Sequence, residues 1–245
     1  ELFKISPHEA ANMDPQQRIL LEDSFAMASS TMGESREVGV IVGLSFWDYS
    51  IISENMNGDV ASASPAMKLT GRNLSVASGR ISYIHGYRGP SMTIDTACSS
   101  SLVAIHVASL ALRNDTPAPS EVLVGCAMMS LAPDVMRSLS MASMVSDEGR
   151  SRTLDREANG YGRGEGTAIL VMSRVLHDDD GAKKPLLGIV ASSAINQDGR
   201  SASLTAPNGP SQLDLLRVAV IKANISPLDI HVRELHGTGT PLGDP

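Results

Sequence analysis

A chain of 245 residues that is 42% hydrophobic, poor in aromatics and free of long charged or low-complexity blocks can bury a large core, in one domain or two. A net charge of −7 with no Lys/Arg-rich run argues against non-specific nucleic-acid binding. No apolar run reaches the ~18 residues of a membrane span, and the amino terminus has neither a basic n-region nor an apolar h-region.

In chain order, Asp14 and Pro15 form an N-cap and first-turn pair, and the helix they open places Leu21, Phe25 and Ala28 on one face. Residues 37–43, EVGVIVG, read as a buried strand, and 45–65, without a clear period, as a surface excursion. A helix over about 73–84 carries Ala77, Ile81 and Ile84 on one side and stops at Gly86. Met92, Ile94 and Thr96 alternate with Thr93, Asp95 and Ala97, predicting a strand that stops at Cys98. Beyond it Leu102, Ile105, Ser109 and Leu112 fall on one helical face and Val103, Val107 and Leu110 on another. A helix apolar nearly all round is expected to be buried between two sheets.

Residues 115–120 then turn through Pro117 and Pro119 into a strand over 121–129. Met128, Met129, Met136, Met141 and Met144 make a methionine-rich segment that suits either adaptable core packing or a flexible acyl-binding surface. The glycine-rich stretch DREANGYGRGEG, 155–166, matches neither GxGxxG nor a Walker A loop, so no nucleotide site is assigned, and it leads into a strand over 167–173. Strands are also expected over 186–196 and 231–235, with a helix opened by Pro210 between them, carrying Leu213, Leu216 and Val220. Alternating strands and helices predict an α/β architecture. The N-x-[ST] triplets at Asn73, Asn114 and Asn224 are expected to be chance matches, since no secretion signal is recognisable in these residues. The chain opens on Glu1 without a methionine and closes on Pro245 inside a motif, so it reads as a piece of a longer polypeptide.

The two cysteines, Cys98 and Cys126, have no metal-type spacing and suit a reducing compartment. Cys98 stands where a strand gives way to a helix. Free N–H groups and the helix dipole there favour a thiolate, and the same groups can hold an oxyanion. The alternative is a small apolar core residue. His236 follows an apolar strand and precedes Gly237, Thr238, Gly239 and Thr240, a loop where backbone can approach a ligand and hydroxyls can donate. A histidine there can act as donor or base, or be merely structural.

DTACSSSLVA resembles the active-site motif of the β-ketoacyl synthases, the condensing enzymes of fatty-acid and polyketide assembly. SPHEAANMDPQQRILLE, GRISY, GPSMTIDTACSSSLVA, GYGRGEG, NQDGRS, LTAPNGPSQ and ELHGTGTPLGDP look like successive blocks of the ketosynthase domain of type I modular polyketide synthases. NQDG and LTAPNGP look more like polyketide than animal fatty-acid synthases. The resemblance spans almost the whole chain, so residues 1–245 read as a partial ketosynthase domain, its N-terminal half plus the start of its C-terminal half. Lys4, Cys126, Gly162 and Leu235 depart from the family's more usual glycine, glycine, valine and alanine.

The resemblance implies a thiolase-like fold layered α-β-α-β-α, incomplete at its C-terminal part, and a homodimer when complete. It implies that Cys98 accepts the acyl chain, that His236 is one of two catalytic histidines, that Thr238 and Thr240 contact the phosphopantetheine arm, and that Asp244 belongs to the support network. The family's second histidine, its lysine and a glycine-rich oxyanion loop are expected downstream of Pro245, so the chain alone is expected to be inactive. No cofactor is implied for the domain itself. Phosphopantetheine arrives on the partner acyl carrier protein, the neighbouring domain is an acyltransferase, and the setting is the cytoplasm or plastid stroma, without nucleic acid or membrane.

Three rivals stand beside this reading. A fatty-acid synthase condensing domain or thiolase-like acyltransferase is told apart by whether a histidine and lysine, or a second cysteine, lies downstream. A noncatalytic ketosynthase-like scaffold would lack the downstream histidine. An unrelated Cys/His hydrolase would release free acid from acylated Cys98.

Overall fold

Residues 2–46, 48–58, 60, 62–114, 117–174, 186–241 and 243–244 are described by the structure, a computed structural model. The helices are α1 (Pro7–Asn12), α2 (Pro15–Thr31), α3 (Asp48–Ser53), α4 (Pro65–Arg72), α5 (Val76–His85), α6 (Ser100–Asn114), α7 (Pro133–Met141) and α8 (Gly209–Ala223). The strands are β1 (Val38–Leu44), β2 (Ser91–Ile94), β3 (Glu121–Met128) and β4 (Gly166–Ser173). The chain forms two compact units, Glu1–Pro133 with Gly164–Lys184, and Asp134–Arg163 with Pro185–Pro245. Among the described residues no helix is long and apolar enough to cross a membrane.

The first unit is built on one sheet, ordered β2-β1-β3-β4. β1 runs parallel to β2 and β3, with Gly43 opposite both Ile94 and Cys126, while β4 is antiparallel to β3. Every residue of β1 is buried, as its unbroken apolar run requires of a strand covered on both faces. Alternation sorts its side chains: Val40, Val42 and Leu44 meet Leu20, Leu21, Ala77 and Ile81, whereas Ile41 meets Ala104, Ala108, Ala111 and Leu112. Helices α2 and α5 thus cover one face and α6 the other. Each large aliphatic side chain sealed in these layers contributes roughly 2 kcal/mol.

Several predicted elements form as expected. Asp14 caps α2, its Oδ1 accepting the Gln16 N–H at 2.8 Å, with Pro15 in the first turn. The buried face of α2 is turned toward Leu20, Leu21 and Ser24, leaving Phe25 and Ala28 half-buried. Gly86 ends α5 at φ 69°, and Asn208 caps α8. The strands at 38–44, 121–128 and 166–173 lie within a residue of expectation.

Others differ. The excursion over 45–65 contains α3, whose Asp48, Tyr49 and Ser53 are buried, because Asp48 Oδ2 accepts the distant N–H groups of Leu131 (2.9 Å) and Ala132 (3.0 Å). The strand before Cys98 stops earlier, at Ile94. Helix α6 is buried on one face only. Its small residues sit against β1 and β3, while Leu102 (69%) and Leu110 (42%) are exposed, because the described residues provide only one sheet for it to cover. The segments 186–196 and 231–235 form no strand and pair with none among the described residues. Met136, Met141 and Met144 are exposed, against the core-packing alternative for the methionine-rich segment. The turn expected at 115–120 begins on Asp115 and Thr116, which lie outside the described residues.

Asp14 is fully buried, and its Oδ2 has no hydrogen-bond partner among the described residues. Burial, the largest influence, raises its carboxyl above the ordinary range, while the bonds from Gln16 pull the other way. The folded chain therefore holds this proton more tightly than the unfolded chain does. The resulting stability is full below the unfolded value of ~3.9 and declines as pH rises through the folded one. Asp14→Asn keeps an oxygen for the Gln16 N–H, so it is expected to remove that decline and to match or exceed the parent's stability at neutral pH by up to about 1 kcal/mol. Denaturant titrations from about pH 3 to about pH 7 check this; a steeper decline in the variant contradicts it.

Candidate active site

Cys98 lies in the first unit, at the carboxyl end of β2, in a 3₁₀ turn (Ala97–Ser99) that runs directly into α6. Side-chain bonds, rather than a regular ladder, shape this turn. Asp95 Oδ1 accepts the Ala97 N–H at 2.9 Å, which bends the chain out of the strand. Ala97 takes a left-handed conformation, φ 54°, at a cost of roughly 1–2 kcal/mol for a residue with a Cβ. The buried Ser100 hydroxyl spans the cysteine: it accepts the Thr96 N–H at 2.8 Å and donates to the Ala97 carbonyl at 2.7 Å. Ser99 Oγ donates back to the Thr96 carbonyl at 2.9 Å. These bonds offset the backbone strain and leave the free Cys98 exposed at the amino end of the 15-residue helix.

The chain's other thiol differs. Cys126, on β3, is half-buried against the α6 side of the sheet, and burial pushes its thiol up, so it remains neutral at physiological pH. Only Cys98 has the accessibility a nucleophile needs.

His236, Thr238, Thr240 and Asp244 lie in the second unit. Here the loop 236–244 is fastened to the segment 152–160. Gly160 N–H donates to the Gly239 carbonyl (2.8 Å), Thr153 Oγ1 donates to the Gly237 carbonyl (2.7 Å), and Asp244 accepts from Leu154 N–H through Oδ2 and from Gly239 N–H through Oδ1, both at 2.9 Å. Gly237 and Gly239 both have positive φ, 54° and 62°, so the alternating glycines fold the loop tightly. That geometry brings Thr238 Oγ1 within 3.0 Å of Thr240 Oγ1, and Thr240 Oγ1 accepts the Gly243 N–H at 3.1 Å. His236 is exposed and takes no part in these bonds. The loop thus presents an imidazole and two hydroxyls while its backbone is held from beneath.

The structure brings Thr238, Thr240 and Asp244 into one bonded group and sets Cys98 in its own braced turn. Sequence reasoning passed over Asp95, Ser100, Thr153 and Leu154. An Asp two residues before the turn and the run of three serines were available signals for the first two. The last two act through contacts 84 and 90 residues away, with no local signature.

Comparison with known proteins places the chain in a family. The family model described as Beta-ketoacyl synthase, N-terminal domain, matches residues 1–177, and that described as Beta-ketoacyl synthase, C-terminal domain, matches residues 187–245. The chain is 42% identical over 254 aligned positions to a component of the phenolphthiocerol/phthiocerol polyketide synthase of Mycobacterium tuberculosis, covering 100% of this chain and 11% of that protein. It is 41% identical to polyketide synthase GfsA of Streptomyces halstedii, again covering 100% of this chain and 3% of that one. In three dimensions it is similar to the ketosynthase from module 6 of the bacillaene synthase of Bacillus subtilis 168, with a TM-score of 0.85 at 36% identity, over 99% of this chain and 41% of that one. A ketosynthase domain of Streptomyces albus JA3453, oxazolomycin OzmH KS7, gives 0.84 at 31% identity, over 99% of this chain and 41% of that one. The chain therefore spans 11% and 3% of the two polyketide synthases and 41% of each solved ketosynthase chain.

Proposed function

The chain belongs to the β-ketoacyl synthase family, with its thiolase-like fold, and from that membership we propose that it serves polyketide assembly as a ketosynthase. Its reaction is a decarboxylative Claisen condensation. The Cys98 thiolate attacks the thioester carbonyl of an acyl chain carried by an acyl carrier protein; the acyl–sulfur bond to the carrier breaks, and the departing phosphopantetheine thiolate takes up a proton. A malonyl-type unit on a carrier protein then loses carbon dioxide, and the electrons of the broken carbon–carbon bond pass into a thioester enolate. His236 donates a hydrogen bond to the enolate oxygen. The enolate carbon attacks the acyl-Cys98 carbonyl, Cys98 leaves as thiolate, and a β-ketoacyl carrier protein results.

Thr238 and Thr240 hydrogen-bond the phosphopantetheine arm, which belongs to the arriving carrier protein, and holding both acyl groups beside one another lowers the barrier through proximity. Asp244 fixes the loop that carries these groups. One observation carries the reading: the only accessible thiol stands on a braced turn at a helix amino end, within the stretch 1–177 matched by the ketosynthase N-terminal family model.

The proposed partners are an acyl carrier protein and a neighbouring acyltransferase domain, in the reducing interior of the cell, in keeping with the much greater length of the relatives. A homodimer is supported by β2, which lies at the sheet edge with an outer side unpaired among the described residues. The test supplies the full-length protein with acyl-loaded and malonyl-loaded carrier proteins. The expected result is a β-ketoacyl carrier protein with stoichiometric carbon dioxide. Free carboxylic acid would indicate a hydrolase, and acylation without condensation would indicate a scaffold; either outcome overturns the proposal.

A further inference from the structure

The helix start beside the turn that carries Cys98 rests on the carboxyl end of β1. On β1 the residues facing α6 are Gly39, Ile41 and Gly43, since Ile41 lies in the cluster formed with Ala104 and Ala108 and the side chains alternate. Gly43 sits where α6 begins. A Cβ placed there would lie 2.7 Å from the Ser100 carbonyl oxygen, 2.8 Å from its carbon and 2.9 Å from Ser101 N. All three atoms are backbone, so no side-chain rotation relieves the overlap: only displacement of the helix start does. Gly39, at the other end of the same face, is different. Its Cβ would meet Val122 Cγ2 at 3.2 Å, which a small shift of that side chain relieves, and the Pro90 carbonyl oxygen at 3.4 Å, an ordinary van der Waals contact.

The same short segment is gripped from the other side by Ser100, whose hydroxyl bonds to Thr96 N–H and the Ala97 carbonyl on the near side of Cys98. The depth of the helix start and the angle of the preceding turn are therefore fixed by two separate contacts, one steric and one polar. We propose that Gly43 and Ser100 are positioning residues for the nucleophile, Gly43 setting how close to the sheet the Cys98 turn lies and Ser100 setting the direction in which the turn presents the thiol. This inference rests on Cys98 being the acyl acceptor. A displacement of about 1 Å in a reacting group can cost up to about a hundredfold in rate, so a shift on the scale of the Gly43 overlap is large enough to be read.

The experiment compares Gly43→Ala, Ser100→Ala, Ser100→Thr and Gly39→Ala in the full-length protein. It measures Cys98 acylation by an acyl thioester, the pH profile of Cys98 alkylation by iodoacetamide, and Tm. Gly43→Ala and Ser100→Ala are expected to slow acylation by about tenfold or more and to alter the alkylation profile. Ser100→Thr, which keeps the hydroxyl, is expected to remain within about threefold of the parent, and Gly39→Ala to lower Tm while leaving acylation unchanged. Acylation within about twofold of the parent in folded Gly43→Ala and Ser100→Ala overturns the inference, as does equal slowing in Gly39→Ala or in Ser100→Thr. Should Gly43→Ala fail to fold, the two Ser100 variants decide the matter alone. A parent protein that takes up no acyl group at Cys98 would instead refute the assignment of the nucleophile, an outcome distinct from the others.

Discussion

Cys98→Ala is expected to abolish covalent capture of an acyl chain, with the rate of acyl-enzyme formation falling on the order of 10⁴-fold or more. The thiol is the atom that forms the new bond, so no neighbouring group can substitute for it. Cys126 provides an internal comparison in the same molecule. It is half-buried and held neutral by its surroundings, so it should remain unlabelled when Cys98 is removed. Alanine leaves the braces of the turn untouched, because the bonds from Asp95 and Ser100 run to Thr96 and Ala97. Intact-mass spectrometry of the full-length protein after exposure to an acyl thioester reads the result directly. A variant that gains the acyl mass as readily as the parent does would disprove the role given to Cys98.

His236→Ala is expected to divide the reaction. Acyl transfer to Cys98 should continue, while condensation falls by about 10²–10³-fold, the loss typical of removing one donor to a developing oxyanion. The loop should keep its shape, because its fastening bonds run through Gly237, Gly239 and Asp244 rather than through the imidazole. The measurement is a single-turnover assay that follows acyl-enzyme and β-ketoacyl product separately. Equal loss in both steps would mean that His236 serves the fold or the first transfer, and an unchanged condensation rate would remove it from the chemistry.

What could be read in the sequence was set by how local its cause was. Asp14 with Pro15, Pro210 and Gly86 act within a turn of their own helices, so these boundaries were legible, whereas the Asn208 cap of α8 was not read. Also legible were β1 and β3, whose apolar runs reveal burial directly, and the position of β4, although its residues are half-buried or exposed. Helix α3 was not legible, because what buries it is a bond from Asp48 to backbone 83 and 84 residues away. Apolarity overstated the burial of α6, since Leu102 and Leu110 are as apolar as Leu112, yet they are exposed while Leu112 is buried. The segments 186–196 and 231–235 have strand-like composition, yet a ladder requires a neighbour that composition cannot supply.

For the candidate site, residue identities were legible through motif resemblance, and the residues that hold them in shape were not. Cys98 and Asp244 stand in recognisable blocks, whereas Ser100 bonding across the cysteine and Leu154 meeting Asp244 emerge only from the folded chain.

That last contact bears on how such enzymes can be recombined. Leu154 and Asp244 share a hydrogen bond across 90 positions, with Thr153 to Gly237 and Gly160 to Gly239 alongside it. A hybrid protein with a crossover between these two stretches would pair halves of different parentage at that seam. Breakpoints that transfer both stretches together keep the matched set intact.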